Sequence, residues 1–279
     1  MFLAIAARMT LDHPEPSALR VPAILLAGNR PGLDPLAAAA GVPYKALVPV
    51  GGRAMVDHVA RTLLAHPKIG PVIVLAQDPA IFAAHDGTAW LANDPGIRLL
   101  SSGAGISQSL LDVIDGGEAA FPILVTTADN ILLSATMIDA FLSGAQGADI
   151  AVAMVERGVL LPAYPQSRRT WLKFRAGWWS GANLFWLGSA KARDVVAFWR
   201  AVEKDRKKGW KVLAAFGPVL LAGALLRLLS LPQAIGRAGL RFGVVARVVP
   251  MAEPEACIDA DKPDDVVLIE SILAQRSGA

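Results

Sequence analysis

The chain has 279 residues, of which 54% are hydrophobic and 18% are charged. This length and composition predict a sizeable buried core and exclude an intrinsically disordered protein. The net charge of +3 is too weak a bias for a protein dedicated to binding nucleic acid. The single cysteine, Cys257, excludes an internal disulfide and suits the reducing cytoplasm, where we expect the protein to be located.

We expect residues 1–20 to form an N-terminal extension, because they are apolar and then Pro-rich, and residues 21–279 to form one domain. From residue 21 to 155, short apolar runs alternate with segments of helical periodicity. The predicted strands cover residues 21–27, 71–76, 97–100, 121–127 and 148–155, and the predicted helices cover 54–65, 81–91 and the segments from about 107 and 134. This alternation indicates a mainly parallel sheet with helices on both faces.

Polar turns follow three of these predicted strands, at Gly28–Arg30, Ser101–Ser109 and Asp129–Asn130. The carboxyl ends of parallel strands meet at one edge of a sheet, and ligands of such sheets bind there. We therefore expect the three turns to line one site.

The first turn has the residue types that bind an anion. Gly28 lets the backbone approach a ligand closely, and the cations Arg30 and Lys45 follow. Neither the GxxxxGK[ST] phosphate loop nor the GxGxxG dinucleotide turn is present. The pattern suits a triphosphate bound by a different kind of loop.

The second half of the chain differs in character. Residues 170–187 predict a β hairpin around Gly177, and residues 189–204 a helix. Residues 212–231 are strongly apolar, but Arg227 and several Gly and Pro residues interrupt them, so a buried helix is favoured over a membrane span. Flanking Lys and Trp residues leave open an interfacial helix, with peripheral membrane contact through 207–231. A late strand at 242–249 and a last helix that starts near Pro263 complete the chain.

Four segments together resemble the MobA-like nucleotidyltransferases, a superfamily that includes guanylyl-, cytidylyl- and sugar-phosphate nucleotidyltransferases. They are LLAGNR, KALVPVGGRAMVDHV, TTADN and IDADKPDD. Asn29 stands where a second Gly is common, and Lys262 replaces a Thr. The resemblance implies an α/β fold: a GT-A/Rossmann-like three-layer sandwich with a mostly parallel central sheet and a small β/helical acceptor-side insertion. Residues 156–250 would be the variable, acceptor-side region.

The resemblance also implies an activity, the transfer of a nucleoside monophosphate from an NTP to a phosphorylated small molecule with release of pyrophosphate. The NTP would be CTP or GTP, the acceptor a sugar, polyol or lipid-linked phosphate, and the cofactor Mg²⁺ (or Mn²⁺). The implied roles are catalytic for Arg30 and Lys45; nucleotide-binding for Leu26, Ala27, Gly28, Gly103, Ser107 and Ser109; acceptor-binding for Gly181, Asn183 and Arg175; and metal-binding for Asp129, Asp261 and Asp259.

Structural roles remain open for several of these residues. Asp129 and Asp261 could cap helices or turns, and Ser107 could be a helix N-cap. The basic residues before Gly181 could bind an acceptor phosphate or could form the polar outer edge of a β hairpin; they are Arg168, Arg169, Lys173 and Arg175. Two other functions are also open: a GT-A-type glycosyltransferase, which normally carries a DxD motif at the end of a central strand, and a non-catalytic nucleotide-binding or membrane-associated regulator.

Overall fold

The computed structural model of the protein describes residues 20–29, 32, 34–103, 105–204 and 226–278. Its strands are β1 (Val21–Leu26), β2 (Pro49–Val50), β3 (Arg53–Ala54), β4 (Ile69–Ala76), β5 (Ile97–Ser101), β6 (Ile123–Thr127), β7 (Ile150–Glu156), β8 (Leu172–Phe174), β9 (Gly177–Leu187) and β10 (Ala246–Met251). Its helices are α1 (Pro35–Ala40), α2 (Met55–Ala65), α3 (Ala80–Ala84), α4 (Ile106–Asp115), α5 (Ala135–Ala145), α6 (Arg157–Ala163), α7 (Ala192–Lys204), α8 (Leu231–Arg241) and α9 (Pro263–Ser277).

An eight-stranded sheet forms the central layer, in the order β10-β7-β9-β6-β1-β4-β5, with β8 paired to β9. Strand β9 runs antiparallel to its neighbours, while the other pairings along this order are parallel. The α/β fold with a mostly parallel sheet is thus confirmed.

Helices cover both faces of the sheet because its strands are apolar on both sides. In β1, Leu25 packs in the core under α2, α5 and α9, while Ile24 packs against α4 and α7. Both side chains are fully buried, as expected of a strand covered on two faces. The result is the three-layer sandwich predicted from the sequence.

The register of the sheet brings the polar turns to one edge. Leu26 of β1 lies opposite Leu75 of β4 and Thr127 of β6, and Ala76 of β4 lies opposite Ser101 of β5. The carboxyl ends of β1, β5 and β6 are therefore level with one another. We call this edge the carboxyl rim.

Two predicted elements differ in extent. The helix expected over 81–91 is instead α3 followed by a separate 3-10 turn, Ala89–Ala92. The strand expected over 242–249 begins only at Ala246, because Phe242 ends α8 and Gly243, with φ +67°, reverses the chain. The hairpin around Gly177 is confirmed as β8 and β9.

Most of the segment predicted to contact a membrane, 207–231, lies outside the described residues. Its last residue, Leu231, begins α8, where Ser230 and Gln233 form a capping box. In the described ranges, no helix combines the length and apolarity needed to cross a bilayer. Membrane contact stays a prediction.

Replacing Ser134 by Ala is expected to lower the free energy of unfolding by about 1 kcal/mol, because its hydroxyl caps α5. The Ser134 Oγ accepts a hydrogen bond from the backbone N–H of Met137 at 3.2 Å. Urea denaturation measures the change, with Ser134→Asp retaining the cap and Ser143→Ala, at an exposed position of the same helix, as the control. Equal losses in the two Ala variants would show that the cap contributes nothing.

Candidate active site

Three carboxylates from two distant segments converge at the carboxyl rim. Oxygens of Asp129, Asp259 and Asp261 lie within 4.8 Å of one another, forming the one such group of acidic, His or Cys side chains found among the described residues. Asp129 follows β6, whereas Asp259 and Asp261 lie between the 3-10 turn Pro254–Cys257 and α9. We call the three residues the carboxylate cluster.

Backbone contacts fix the two segments against each other. The N–H of Ala260 donates to the carbonyl oxygen of Asp129 at 3.2 Å, so the chain before α9 lies directly against the end of β6. The hydroxyl of Thr127 donates to the carboxylate of Asp129 and fixes its orientation. The cluster is thus built from the turn after β6 and the segment before α9, and these contacts hold the two together.

Lys45 lies inside this cluster. Its Nζ is 2.7 Å from Asp129 Oδ2 and 2.6 Å from Asp261 Oδ1. Burial by itself would lower the pKa of the Lys45 ammonium, but attraction by Asp129 and hydrogen bonds to both carboxylates outweigh it and raise the pKa above its usual value. Lys45 is therefore a permanent cation at neutral pH.

Asn29 positions the chain that carries Lys45. Its Oδ1 accepts from the backbone N–H of Lys45 at 3.0 Å, and its Nδ2 donates to the carbonyl oxygen of Pro43 at 2.9 Å. The side chain of Gln77 bonds to both the backbone N–H and the carbonyl of Asn29. A Cβ on Gly28 would lie 2.9 Å from Gln77 Oε1, so the glycine permits this contact.

Arg169 connects the two acidic residues that flank Asp261. Its guanidinium donates to Asp259 through Nη1 and to Asp265 through Nη2, and its side chain is only 6% exposed. The other oxygen of Asp265 accepts from the backbone N–H groups of Asp261, at 3.2 Å, and Lys262, at 3.0 Å. In this structure the Arg169 guanidinium is bound to two carboxylates of the C-terminal segment, so an acceptor phosphate would have to compete with them.

The same contacts show that Asp261 does not cap α9. Lys262 is the N-cap of α9, and Asp265 at the third position accepts from the cap backbone. The carboxylate of Asp261 instead faces Lys45. In this segment, Asp265 therefore caps α9, and Asp261 contacts Lys45.

Asn183 completes the support of Asp259. Its backbone has φ +50°, in the left-handed region that Asn tolerates better than most residues, next to an irregularity in the β7–β9 register. This conformation directs its Nδ2 to Asp259 Oδ2 at 3.0 Å. Burial raises the pKa of the Asp259 carboxyl, and the charges of Asp261 and Asp129 add to the rise, while Arg169 opposes it.

The turn after β5 is closed by its own side chains. The Ser109 Oγ accepts from the N–H of Gly103 at 2.9 Å and donates to the carbonyl of Gly105 at 2.8 Å. Ser107 is 2% exposed, and its N–H donates to Glu203 of α7 at 3.2 Å. Gly105 is the N-cap of α4, so the alternative that Ser107 is the cap is wrong.

A family model described as the MobA-like NTP transferase domain matches residues 23–231. The chain belongs to this family. Membership makes the protein an enzyme of the nucleotidyltransferase class. The match ends before Asp259 and Asp261, so the structure alone brings these two carboxylates to Asp129.

Solved structures agree with this assignment of the fold. A hypothetical transferase from Thermus thermophilus is 27% identical, with a TM-score of 0.73 over 89% of this chain and 100% of that one. A CMP:2-keto-3-deoxy-manno-octonic acid synthetase complexed with CTP is 15% identical, with a TM-score of 0.57 over 92% and 99%. A 2-C-methyl-D-erythritol 4-phosphate cytidylyltransferase, also from Thermus thermophilus, is likewise 15% identical, with a TM-score of 0.50 over 92% and 100%. A comparison with curated protein sequences gave no match.

Not every residue that the family resemblance singled out lies at the carboxylate cluster of this nucleotidyltransferase. Arg30 is outside the described residues. Arg175 lies in the turn between β8 and β9, next to α8, where its Nη2 is 3.5 Å from Gln233 Oε1. At about 3.3 Å per strand residue, this turn is roughly 20 Å from Asn183. The backbone of this turn is therefore well separated from Asn183, and an acceptor-binding role for Arg175 stays a prediction.

The donor set of the nucleotidyltransferase suits a hard divalent cation. Contacts at the cluster join four carboxylates, those of Asp129, Asp259, Asp261 and Asp265, to two cations, Lys45 and Arg169. This leaves an excess of two negative charges. Burial is the main cause of the raised pKa of Asp259, and the neighbouring charges of Asp261 and Asp129 add to it. Mg²⁺ binds few carboxylates and keeps sites for phosphate oxygens and water, so the residues present fit it.

Proposed function

We propose that this nucleotidyltransferase transfers a nucleoside monophosphate from CTP or GTP to a phosphorylated small molecule and releases pyrophosphate. The main support is the convergence of Asp129, Asp259 and Asp261 beside Lys45, at the edge where parallel sheets bind their ligands. These carboxylates are far apart in the chain, yet they meet, and their oxygens are ligands that Mg²⁺ prefers. Both points favour a metal–triphosphate site over a solvated acidic surface.

The carboxylate cluster would hold Mg²⁺ (or Mn²⁺), with Asp129 and Asp261 as the main ligands and Asp259 as the third candidate. When bound, the ion would neutralise charge on the phosphates and stabilise the charge that develops during transfer. Because Lys45 is a permanent cation held by Asn29, it can neutralise the triphosphate without reorganising during the reaction. We propose the same catalytic role for Arg30, on the family resemblance alone.

The acceptor needs no strong protein base if its attacking group is already a phosphate. We propose that the acceptor binds along β9, where Gly181 is exposed and Asn183 has a second amide atom besides the Nδ2 bound to Asp259. We propose that the nucleobase of the NTP binds at Leu26, Ala27 and Gly28 and at the turn of Gly103, where Ser109 orders the backbone. Two proteins of similar fold support CTP as the NTP and a phosphorylated polyol as the acceptor. They are a synthetase complexed with CTP and a 2-C-methyl-D-erythritol 4-phosphate cytidylyltransferase.

Pyrophosphate release tests the proposal. The purified protein is incubated with Mg²⁺, one of the four NTPs and a panel of sugar and polyol phosphates, with Asp129→Asn in parallel. We expect release with CTP or GTP that depends on one acceptor and is lost in the variant. Tight NTP binding without release under any condition would favour the regulator, and turnover of a nucleotide sugar alone would favour the glycosyltransferase.

Replacing Asn29 by Ala is expected to raise KM for the NTP about 10-fold, because Lys45 loses the hydrogen bond that fixes its backbone. Asn29→Gly, which introduces the residue common in the family, removes the same side-chain contacts and is expected to behave alike. Asn93→Ala is the matched control, because this exposed Asn bonds only within its own turn. Initial rates at varied NTP measure the change, and a KM equal to that of the unmodified protein would contradict the role.

A further inference from the structure

A cavity lies beside the 3-10 turn that carries Lys45, because Leu47 of that turn lines it. It has a volume of about 490 Å³ and is lined by α2, the β2–β3 hairpin, the end of α1 and the turn at His85–Gly87. None of the three clustered carboxylates lines it. We call it the α2 cavity.

Cations dominate the polar wall of this cavity. Arg53 and Arg61 line it, and the one carboxylate there, Asp57, is already satisfied. Asp57 is 3% exposed and accepts from Arg61 Nε at 2.9 Å and from the indole N–H of Trp90. No carboxylate among the described residues pairs with the Arg53 guanidinium, so the wall has one positive charge in excess.

Arg61 is held in place before any ligand arrives. Its guanidinium lies over the Trp90 ring, 4.2 Å from the centroid, while Nε bonds to Asp57. These contacts use Nε and one face of the group, which leaves the Nη donors for a ligand. A fixed guanidinium loses less conformational entropy on binding than a free surface arginine does.

A third group on the wall lacks a partner. The Nδ1 of His85 is buried and has no hydrogen-bond partner in the part of the chain that the structure describes. A buried polar nitrogen without a partner costs free energy, and a turn of the His85 ring that brings Nδ1 to a bound ligand would remove that cost.

We propose that the α2 cavity binds a small phosphorylated or carboxylated metabolite, with Arg53 and Arg61 on its anionic group and His85 as a further polar contact. Planar guanidinium groups match phosphate and carboxylate geometry, and the volume suits an organic anion better than a lone ion. The site is separate from the triphosphate pocket, although Leu47, in the same 3-10 turn as Lys45, forms part of its wall.

Histidine NMR provides a local test, because the chain has only four His residues. The protein is kept metal-free with EDTA and titrated with inorganic phosphate or citrate at constant ionic strength, and His85→Gln identifies the His85 signal. We expect a saturable shift of that signal, and the more effective anion distinguishes a phosphorylated from a carboxylated ligand. A shift that is linear in anion concentration, or equal for chloride, would overturn the proposal.

Variants locate the binding. Arg53→Gln is expected to weaken the apparent affinity about 10-fold, because a charge-assisted contact is lost. Arg237→Gln, at an exposed position on α8, should leave it unchanged. Lys45→Ala should also retain the response, since it alters only the triphosphate pocket. Equal effects of the Arg53 and Arg237 variants, or loss of the response in Lys45→Ala, would refute a separate site, whatever the outcome of the transfer assay.

Discussion

Asp129→Asn is expected to lower kcat/KM for Mg²⁺-dependent pyrophosphate release by more than about 100-fold. Loss of a residue that only supports a metal ligand lowers metal affinity or activity about 10- to 100-fold. Asp129 is proposed as a ligand itself, so a larger effect is expected. An amide of the same shape keeps the packing at the end of β6 but removes the charge that both Lys45 and a cation use. Initial rates and Mn²⁺ binding, followed by electron paramagnetic resonance, should fall together.

Asp264→Asn is the matched control for this loss. Asp264 is an exposed acidic residue in the first turn of α9, three positions from Asp261, and it does not belong to the carboxylate cluster. It should keep full Mn²⁺ affinity. If the two variants bound Mn²⁺ equally well, the assignment of Asp129 to the metal would be wrong, even if the rate had fallen.

Local patterns in the sequence were enough to place the sheet and one side of the site. Buried parallel strands have a strong signature, continuous apolar runs such as Ile123–Thr127, and a polar residue directly after such a run must lie at the carboxyl edge. This is why Asp129 could be found from the residues, while Asp261 and Asp259 depended on the family resemblance. Their approach to Asp129 needs the path of β10 and the turn after it, which periodicity does not encode.

The supporting residues could not be predicted because their partners are far away in sequence. Arg169 meets Asp259 across 90 positions, and Asn29 meets Gln77 across 48. Arginine in a polar stretch predicts a solvated cation or a phosphate ligand equally well, and only the structure shows that Arg169 is buried against Asp259 and Asp265. The one local hint was Asn29 itself, an amide where the family commonly has a small residue.

Arg169 has the geometry of a positioning residue for the metal site. It holds Asp259 directly, and through Asp265 it fixes the backbone of Asp261, so one guanidinium orients both carboxylates of the C-terminal segment. The side chains of Arg169, Asp259 and Asp265 are 6%, 23% and 12% exposed. In such surroundings, removing one partner leaves uncompensated charge that solvent screens poorly.

Arg169→Gln is therefore expected to lower the free energy of unfolding by about 3–5 kcal/mol at neutral pH and to weaken Mn²⁺ binding by the folded protein about 10- to 100-fold. The stability loss should shrink as the pH falls toward the pKa of Asp259, which burial has already raised above the ordinary carboxyl value. Below that pKa the carboxyl of Asp259 is neutral and no longer needs the guanidinium. The loss of unfolding free energy in Arg169→Gln should therefore grow as the pH rises. Urea denaturation at several pH values measures it.

Arg168→Gln separates positioning from a general loss of stability. Arg168 is the exposed neighbour of Arg169 in sequence, so its loss should change the free energy of unfolding by less than about 0.5 kcal/mol and leave Mn²⁺ affinity intact. Arg169→Lys keeps the charge but cannot bond to two carboxylates at once, so it should recover part of the stability and little of the metal affinity. If the role of Arg169 were purely structural, the folded fraction of Arg169→Gln would bind Mn²⁺ with normal affinity. The carboxylates would then not depend on Arg169 for their orientation, and the positioning role would be wrong.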